Sequence, residues 1–181
     1  MHPPKRGLCI WITGLSGAGK STIATPLAQA IEESFQIKTH IFDGDEVREN
    51  LSQGLSFSQA DRDINIRRIG YVANLVVEFG GVAIVAAISP YRAIREEVRQ
   101  KIGDFIEVYL DVPLEVCEQR DVKGLYAKAR AGDLKHFTGV SDPYEAPTKP
   151  EISIKTHQET LKHCINSIIS YIEKNSLLKV S

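Results

Sequence analysis

The run Leu8-Cys9-Ile10-Trp11-Ile12-Thr13 passes directly into Gly14-Leu15-Ser16-Gly17-Ala18-Gly19-Lys20-Ser21-Thr22. The first part reads as a strand and the second matches G-x-x-x-x-G-K-[ST], placed after a predicted strand and before a predicted helix. Glycines let the backbone turn around a phosphate group so that successive N–H groups point inward, and the following helix presents its positive end to the same anion. Lys20 is then placed for the β- and γ-phosphates of a nucleotide, and the Ser21 hydroxyl for a magnesium ion. The alternative, a glycine-rich turn that binds nothing, has to account for motif, context and downstream residues agreeing by chance.

Outward from this stretch, apolar runs alternate with helical patterns, which predicts an α/β fold with a parallel sheet and helices on both faces. A helix is expected over about 20–34 and a second strand over 38–42. Ser58, with Asp61 three positions on, opens a further helix in which Ile69, Val72, Val76 and Phe79 recur at helical spacing until Gly80-Gly81. The nearly all-apolar run 82–88 suits a strand buried on both faces, ended by Ser89-Pro90. A helix from Tyr91, a strand over 105–110, a short last strand over 152–154 and a closing helix over about 158–174 complete the pattern. Between them, 121–150 carries few strand or core signals. So long an irregular stretch in a compact domain points to a functional lid.

With 181 residues, 43% hydrophobic and 25% charged, the chain fits one P-loop domain spanning 1–181. A net charge of −1 without runs of like charge argues against a nucleic-acid surface and a polybasic membrane patch. Residues 1–6 lead into an apolar run too brief for a signal h-region or a spanning helix, so a cytoplasmic protein is expected. Cys9, Cys117 and Cys164 lack metal-ligand spacing and read as packing residues.

A P-loop alone leaves the reaction open. The nearest candidate for a guanine-reading segment, Thr148-Lys149-Pro150-Glu151, has glutamate where aspartate is needed. The second strand ends in Phe42-Asp43-Gly44-Asp45, at the sheet edge where open α/β folds bind ligands. Asp43 and Asp45 suit magnesium ligation through water and acceptance of an acceptor hydroxyl's proton, the two jobs phosphoryl transfer leaves to the protein. A plain turn with Asp45 as a helix cap is the competing explanation. Arg48, Arg62, Asn65 and Arg68 are candidate anion binders, the last three spaced to share a helix face opposite the apolar stripe. Solvated surface charge would also explain them. Phe57 beside them favours an anionic ligand with a purine ring.

Together these segments resemble the adenylylsulfate kinases of sulfate assimilation. The resemblance runs through Gly14 to Thr22, Asp43-Gly44-Asp45, Gly54 to Ser58, Asp61-Arg62, Asn65 to Gly70, Ile88-Ser89-Pro90-Tyr91-Arg92, Arg120 to Tyr126, Lys128 to Gly132, Phe137-Thr138-Gly139 and Pro143-Tyr144-Glu145. It implies transfer of the γ-phosphate of ATP to the 3′-hydroxyl of adenylyl sulfate by a P-loop kinase that is usually dimeric; association with an ATP sulfurylase is a further expectation. It also implies that Arg48, Arg62 and Asn65 meet the phosphosulfate and that adenine stacks between Phe57 and Phe137. A lid over 121–132 would close on ATP, with Arg120 by its adenine and Lys123 near the transferring phosphate. One departure is Glu46, where the family usually has asparagine: an extra carboxylate either repels phosphate or faces solvent.

Other small-molecule kinases of this fold, acting on gluconate or shikimate, would give Phe57 and Phe137 no purine to stack on. A regulatory domain that binds ATP without turnover would not need the intact lysine, serine and aspartates. Ser89 carries two readings. In the resembling family a phosphoserine has been proposed, yet no histidine, aspartate or glutamate flanks Ser89 between 82 and 94, so direct transfer, with Ser89 placing substrate or lid, is the expected course.

Overall fold

Along each central strand, successive side chains enter two different cores. In the computed structural model, which describes residues 7–178, Leu8, Ile10 and Ile12 join one cluster and Cys9 and Trp11 the other. Val82, Ile84 and Ala86 face the first cluster while Ala83 and Val85 face the second. This period-2 alternation, apolar on both sides, is what a parallel strand covered by helices on both faces requires. Residues 1–6, read from sequence as a short lead-in, lie outside the described residues.

The elements are β1 (Leu8–Thr13), α1 (Lys20–Phe35), β2 (Thr39–Asp43), α2 (Gly44–Asn50), α3 (Gln59–Glu78), β3 (Val82–Ala86), α4 (Arg92–Ile102), β4 (Phe105–Leu110), α5 (Leu114–Arg120), α6 (Leu125–Ala131), β5 (Ile152–Ile154) and α7 (Leu161–Lys174). All strand pairs are parallel and the order is β2-β3-β1-β4-β5. The strand after β1 in sequence thus lies two places away, and β3 fills the gap. Helices α1 and α7 pack on one face, and α3 and α4 on the other. Among the described residues no helix is long and apolar enough to cross a membrane.

The expected elements are present, with α5 in addition, which the sequence did not lead us to expect, and with four further differences. The third strand stops at Ala86, four residues before Pro90, because the chain turns there into a left-handed residue at Ser89. The apolar stripe of α3 is rotated: Ile66, Ile69, Ala73 and Val77 are buried, whereas Phe79 caps the helix and is 89% exposed. Arg62 and Asn65 therefore sit on the buried face, not opposite it. The stretch 121–150 is not irregular throughout, since α6 forms in it; Asp121 carboxylate oxygens accept from the Tyr126 and Ala127 N–H groups at 3.0 Å, satisfying free donors of its first turn.

Close approach of α3 to α4 depends on Gly70. A Cβ there would lie 2.6 Å from Val98 Cγ1, and Val98 is a buried β-branched residue with little rotamer freedom in a helix. Overpacking of about 1–3 kcal/mol outweighs the gain of about 1 kcal/mol that alanine has over glycine in a helix. Gly70→Ala should lower the midpoint of urea unfolding, and adding Val98→Ala should recover part of the loss; an unchanged midpoint would mean the helices have room to spare.

Candidate active site

The C-terminal ends of β1, β2 and β3 open into a cleft of about 410 Å³, walled also by the start of α3 and by the segment 121–138. This is the edge at which parallel open sheets leave space for ligands. At the floor, α1 begins at Lys20 after Gly19 in a left-handed conformation (φ 102°). Gly17 (φ 77°) lets the loop pass so close to α5 that a Cβ would stand 3.2 Å from the Cys117 carbonyl. Lys20 Nζ donates to the Gly14 and Leu15 carbonyls at 3.0 and 2.8 Å. Burial away from water pushes its ammonium down to about 8. A half-buried cation whose hydrogen bonds run to neutral carbonyls is prepared for a polyphosphate.

Beside it, the Ser21 hydroxyl donates to Asp43 Oδ2 at 2.5 Å. The other Asp43 oxygen accepts from the Asp45 N–H at 3.0 Å and caps α2, so Asp43, not Asp45, is the capping residue. Two hard oxygens in contact, facing a phosphate loop, fit magnesium, which keeps most of its waters and takes few protein ligands. Asp45 is left to extend into the cleft, where Lys123 pairs with it. Glu46 points to solvent in the first turn of α2, where its charge suits the helix end, and it does not line the cleft.

The opposite wall is electropositive and aromatic. The guanidinium groups of Arg48 and Arg62 lie 4.4 and 5.5 Å from the centre of one ring, Phe57. Burial, and then the like charge of Arg62, hold Arg48 below its ordinary pKa. Arg62 is itself buried: Nε donates to the Phe57 carbonyl at 2.8 Å, Nη1 to Thr138 Oγ1 at 2.9 Å, and Nη2 to the His136 carbonyl. These bonds fasten the Phe57 loop to the strand of chain bearing Phe137, which packs edge-on against Tyr126 at 4.9 Å. Asn65 also lines the cleft, and its buried Oδ1 has no hydrogen-bond partner among the described residues, leaving an acceptor for a bound molecule's donor.

Residues 6–155 match the Adenylylsulphate kinase family. An adenylyl-sulfate kinase of Gloeothece citriformis is 55% identical over 175 residues, 97% of this chain and 99% of that one. The Mycobacterium tuberculosis APS kinase CysC, solved in complex with AMPPNP and APS, superposes with a TM-score of 0.88 at 42% identity, covering 94% of this chain and 99% of that one. A probable bifunctional SAT/APS kinase 2 of Sorangium cellulosum is 51% identical over 93% of this chain but only 29% of its own. The chain belongs to the adenylylsulphate kinase family.

In this kinase, Ser16, Gly17, Gly19, Lys20, Ser21, Thr22, Asp43, Asp45, Arg48, Phe57, Arg62, Asn65, Ile88, Ser89, Lys123 and Phe137 all line the one cleft. Gly14, Leu15 and Ala18 do not; they lie behind the loop, Gly14 and Leu15 turning carbonyls to Lys20 and Ala18 turning its own to Thr156 Oγ1 at 2.7 Å. Arg120 is outside the lining, its guanidinium bonded to the Gly17 carbonyl and to Thr156. Arg68 is exposed, with Nη1 on the Leu51 carbonyl, and takes no part in the cleft. Sequence reasoning assigned no role to Tyr126, Thr138 or Thr156. Tyr126, whose hydroxyl donates to the Ser16 carbonyl at 2.9 Å, and Thr138 lie in the family-like motifs; Thr156 had only its place after β5 as a signal.

Ser89 adopts φ 47° and is buried, its hydroxyl accepting from Trp11 Nε1 at 3.0 Å and lying 3.5 Å from the Ala87 carbonyl. Neither group can take a proton from it, so neither of these contacts activates it as a nucleophile. Ser89→Ala should slow turnover by about tenfold, the equivalent of one ordinary hydrogen bond. It should also destabilise the fold by about 1–3 kcal/mol through the stranded indole N–H. Rapid-quench sampling with labelled ATP should find no phosphate on the protein; label on Ser89 would make it the nucleophile.

Proposed function

We propose that this kinase transfers the γ-phosphate of ATP to the 3′-hydroxyl of adenylyl sulfate, giving 3′-phosphoadenylyl sulfate. The observation that carries the reading is one cleft with a phosphate loop on one side and, on the other, two arginines beside the Phe57 ring, one of which, Arg62, is laced to the segment bearing Phe137. Like charges held together at Arg48 and Arg62 are relieved by an anion, and Phe57 and Phe137 both line the cleft, aromatic residues of the kind that receive a purine. That combination suits a nucleotide acceptor and not a sugar acid. The M. tuberculosis neighbour, solved with AMPPNP and APS, supports it.

Phosphoryl transfer asks mainly for position and charge neutralisation. Loop N–H groups and Lys20 hold the ATP phosphates; Ser21 and Asp43 would hold magnesium, which when bound neutralises charge developing on the phosphoryl oxygens. Asp43 has both oxygens engaged, so Asp45 is the carboxylate free to accept the 3′-hydroxyl proton once Lys123 leaves it for the transferring phosphate. The segment 121–138, tied to the cleft by Lys123 and Arg62, acts as the lid. Incubation with labelled ATP and a panel of acceptors tests the assignment: adenylyl sulfate should be phosphorylated and gluconate and shikimate should not. Folded Lys20→Ala should lose on the order of a thousandfold in rate. Arg62→Ala should cost about 1.5–3 kcal/mol of acceptor binding with ATP binding unchanged; equal weakening of both would put Arg62 in the wrong half of the site.

A homodimer is part of the same proposal. Ile64, Tyr71, Leu75 and Phe79 leave an apolar outer face on α3, of a kind that marks association surfaces. The protein should sediment as a dimer and Tyr71→Glu as a monomer; a wild-type monomer would exclude this interface. Association with an ATP sulfurylase has support from the bifunctional S. cellulosum relative, and co-sedimentation of the two proteins checks it.

A further inference from the structure

Behind the cleft, one buried side chain grips both sides of the acceptor half from a helix that contributes nothing to its lining. Arg95, on α4, is 2% exposed. Its Nε donates to Glu107 Oε1 at 2.8 Å, Nη1 to the Ser89 carbonyl at 2.5 Å and Nη2 to the Glu145 carbonyl at 2.6 Å, with the guanidinium 5.8 Å from the Tyr144 ring centre. Structural ion pairing would use only the first of these. The other two reach backbone oxygens 56 positions apart in the chain, one in the turn that lines the cleft and one in the strap that continues from Phe137 and Thr138.

Both targets need holding. Ser89 is a non-glycine residue in the left-handed region, a conformation that persists only where its surroundings over-determine it. Its side chain is held by Trp11 and its carbonyl by Arg95. The strap is laced to the same turn: the Glu145 N–H donates to the Pro90 carbonyl at 2.8 Å, and the Tyr144 hydroxyl meets Thr13 Oγ1 at 2.9 Å, which in turn donates to the Ile88 carbonyl at 2.6 Å. Thr13 Oγ1 also touches both turn and strap, but through a single hydroxyl oxygen, whereas Arg95 reaches a backbone carbonyl of each through one planar, charged group. A planar guanidinium fixes the relative position of its acceptors in a way a point-charge ammonium does not.

We propose that Arg95 is a positioning residue for the acceptor nucleotide: it locks the Ser89 turn against the 143–146 strap and so sets the spacing of the acceptor pocket without touching substrate. This rests on the acceptor reading given above. Glu107 has a different part. It neutralises the buried charge and is itself shared with Arg99 at 3.4 Å, so it supports Arg95 without contacting turn or strap.

The chain's single tryptophan, Trp11, is bonded to Ser89 and reports on the turn directly. Arg95→Lys should raise KM for adenylyl sulfate about tenfold, the loss of roughly one hydrogen bond to a charged donor, with KM for ATP within twofold and a shifted Trp11 emission maximum. Glu107→Gln should lower stability but leave both KM values and the emission near wild type. Equal kinetic effects from the two variants, or an unchanged acceptor KM in Arg95→Lys, would overturn the proposal. Should Arg95→Lys fail to fold, Tyr144→Phe loosens the same strap from its other end and should raise acceptor KM alone; no change there also overturns it. If the wild type phosphorylates no adenylyl sulfate, the functional reading fails, while the emission comparison still decides whether Arg95 holds the turn.

Discussion

Burial of β1 on both faces is the constraint from which the cleft follows. A central parallel strand has no solvent along its sides, so the chain can meet a ligand only where the strand ends. At Thr13 it must leave the sheet and start a helix over the sheet's face, and the loop between is the phosphate cradle. The flanking strand β3 ends at Ala86, and β2 beyond it ends at Asp43, so their exits reach the same edge. Lys20, Asp43 and Ser89 are far apart in sequence, and the 2-3-1 order of strands is what gathers them.

Charge at the two ends of the cleft is handled differently. At the phosphate loop a single half-buried ammonium is bonded to neutral carbonyls, and its partial removal from water lowers its proton affinity. At the far end, two guanidinium groups share one aromatic face, and here repulsion adds to burial. Arginine tolerates that arrangement because its charge is spread over a weakly hydrated plane that stacks on a ring. Each end is thus under-neutralised in the way a polyphosphate and an anionic nucleotide would correct.

Most of the fold could be read from the chain because its signals are local. An apolar run followed by the glycine-rich motif fixed β1 and α1, and Ser58 with Asp61 marked the start of α3, where Ser58 Oγ does accept from the Asp61 N–H at 3.3 Å. What failed was rotation about α3. Val72, Val76 and Phe79 satisfy helical spacing as well as the buried set does, and only packing against Val98 at Gly70 decides which face turns inward. The same ambiguity put Arg62 and Asn65 on the wrong face. Thr138 stood in a family-like motif and Thr156 just after the last strand, but neither place gives a lone threonine a role until a long-range contact reaches it.

The bonding of Arg62 limits what it can do for a ligand. A guanidinium has five N–H donors, and three bonds already run to Phe57, Thr138 and His136. At most two donors remain for an anion, so direct charge pairing falls mainly to Arg48, whose bond to the Ser56 carbonyl, at 3.3 Å, is long. Arg62 is better placed to build the pocket than to bind in it: its guanidinium holds Phe57 and the Phe137 segment at a fixed separation while its charge still adds to the local potential. The arginine that shapes the site and the arginine free to move onto the ligand are therefore different residues, although sequence alone makes them look like two of a kind.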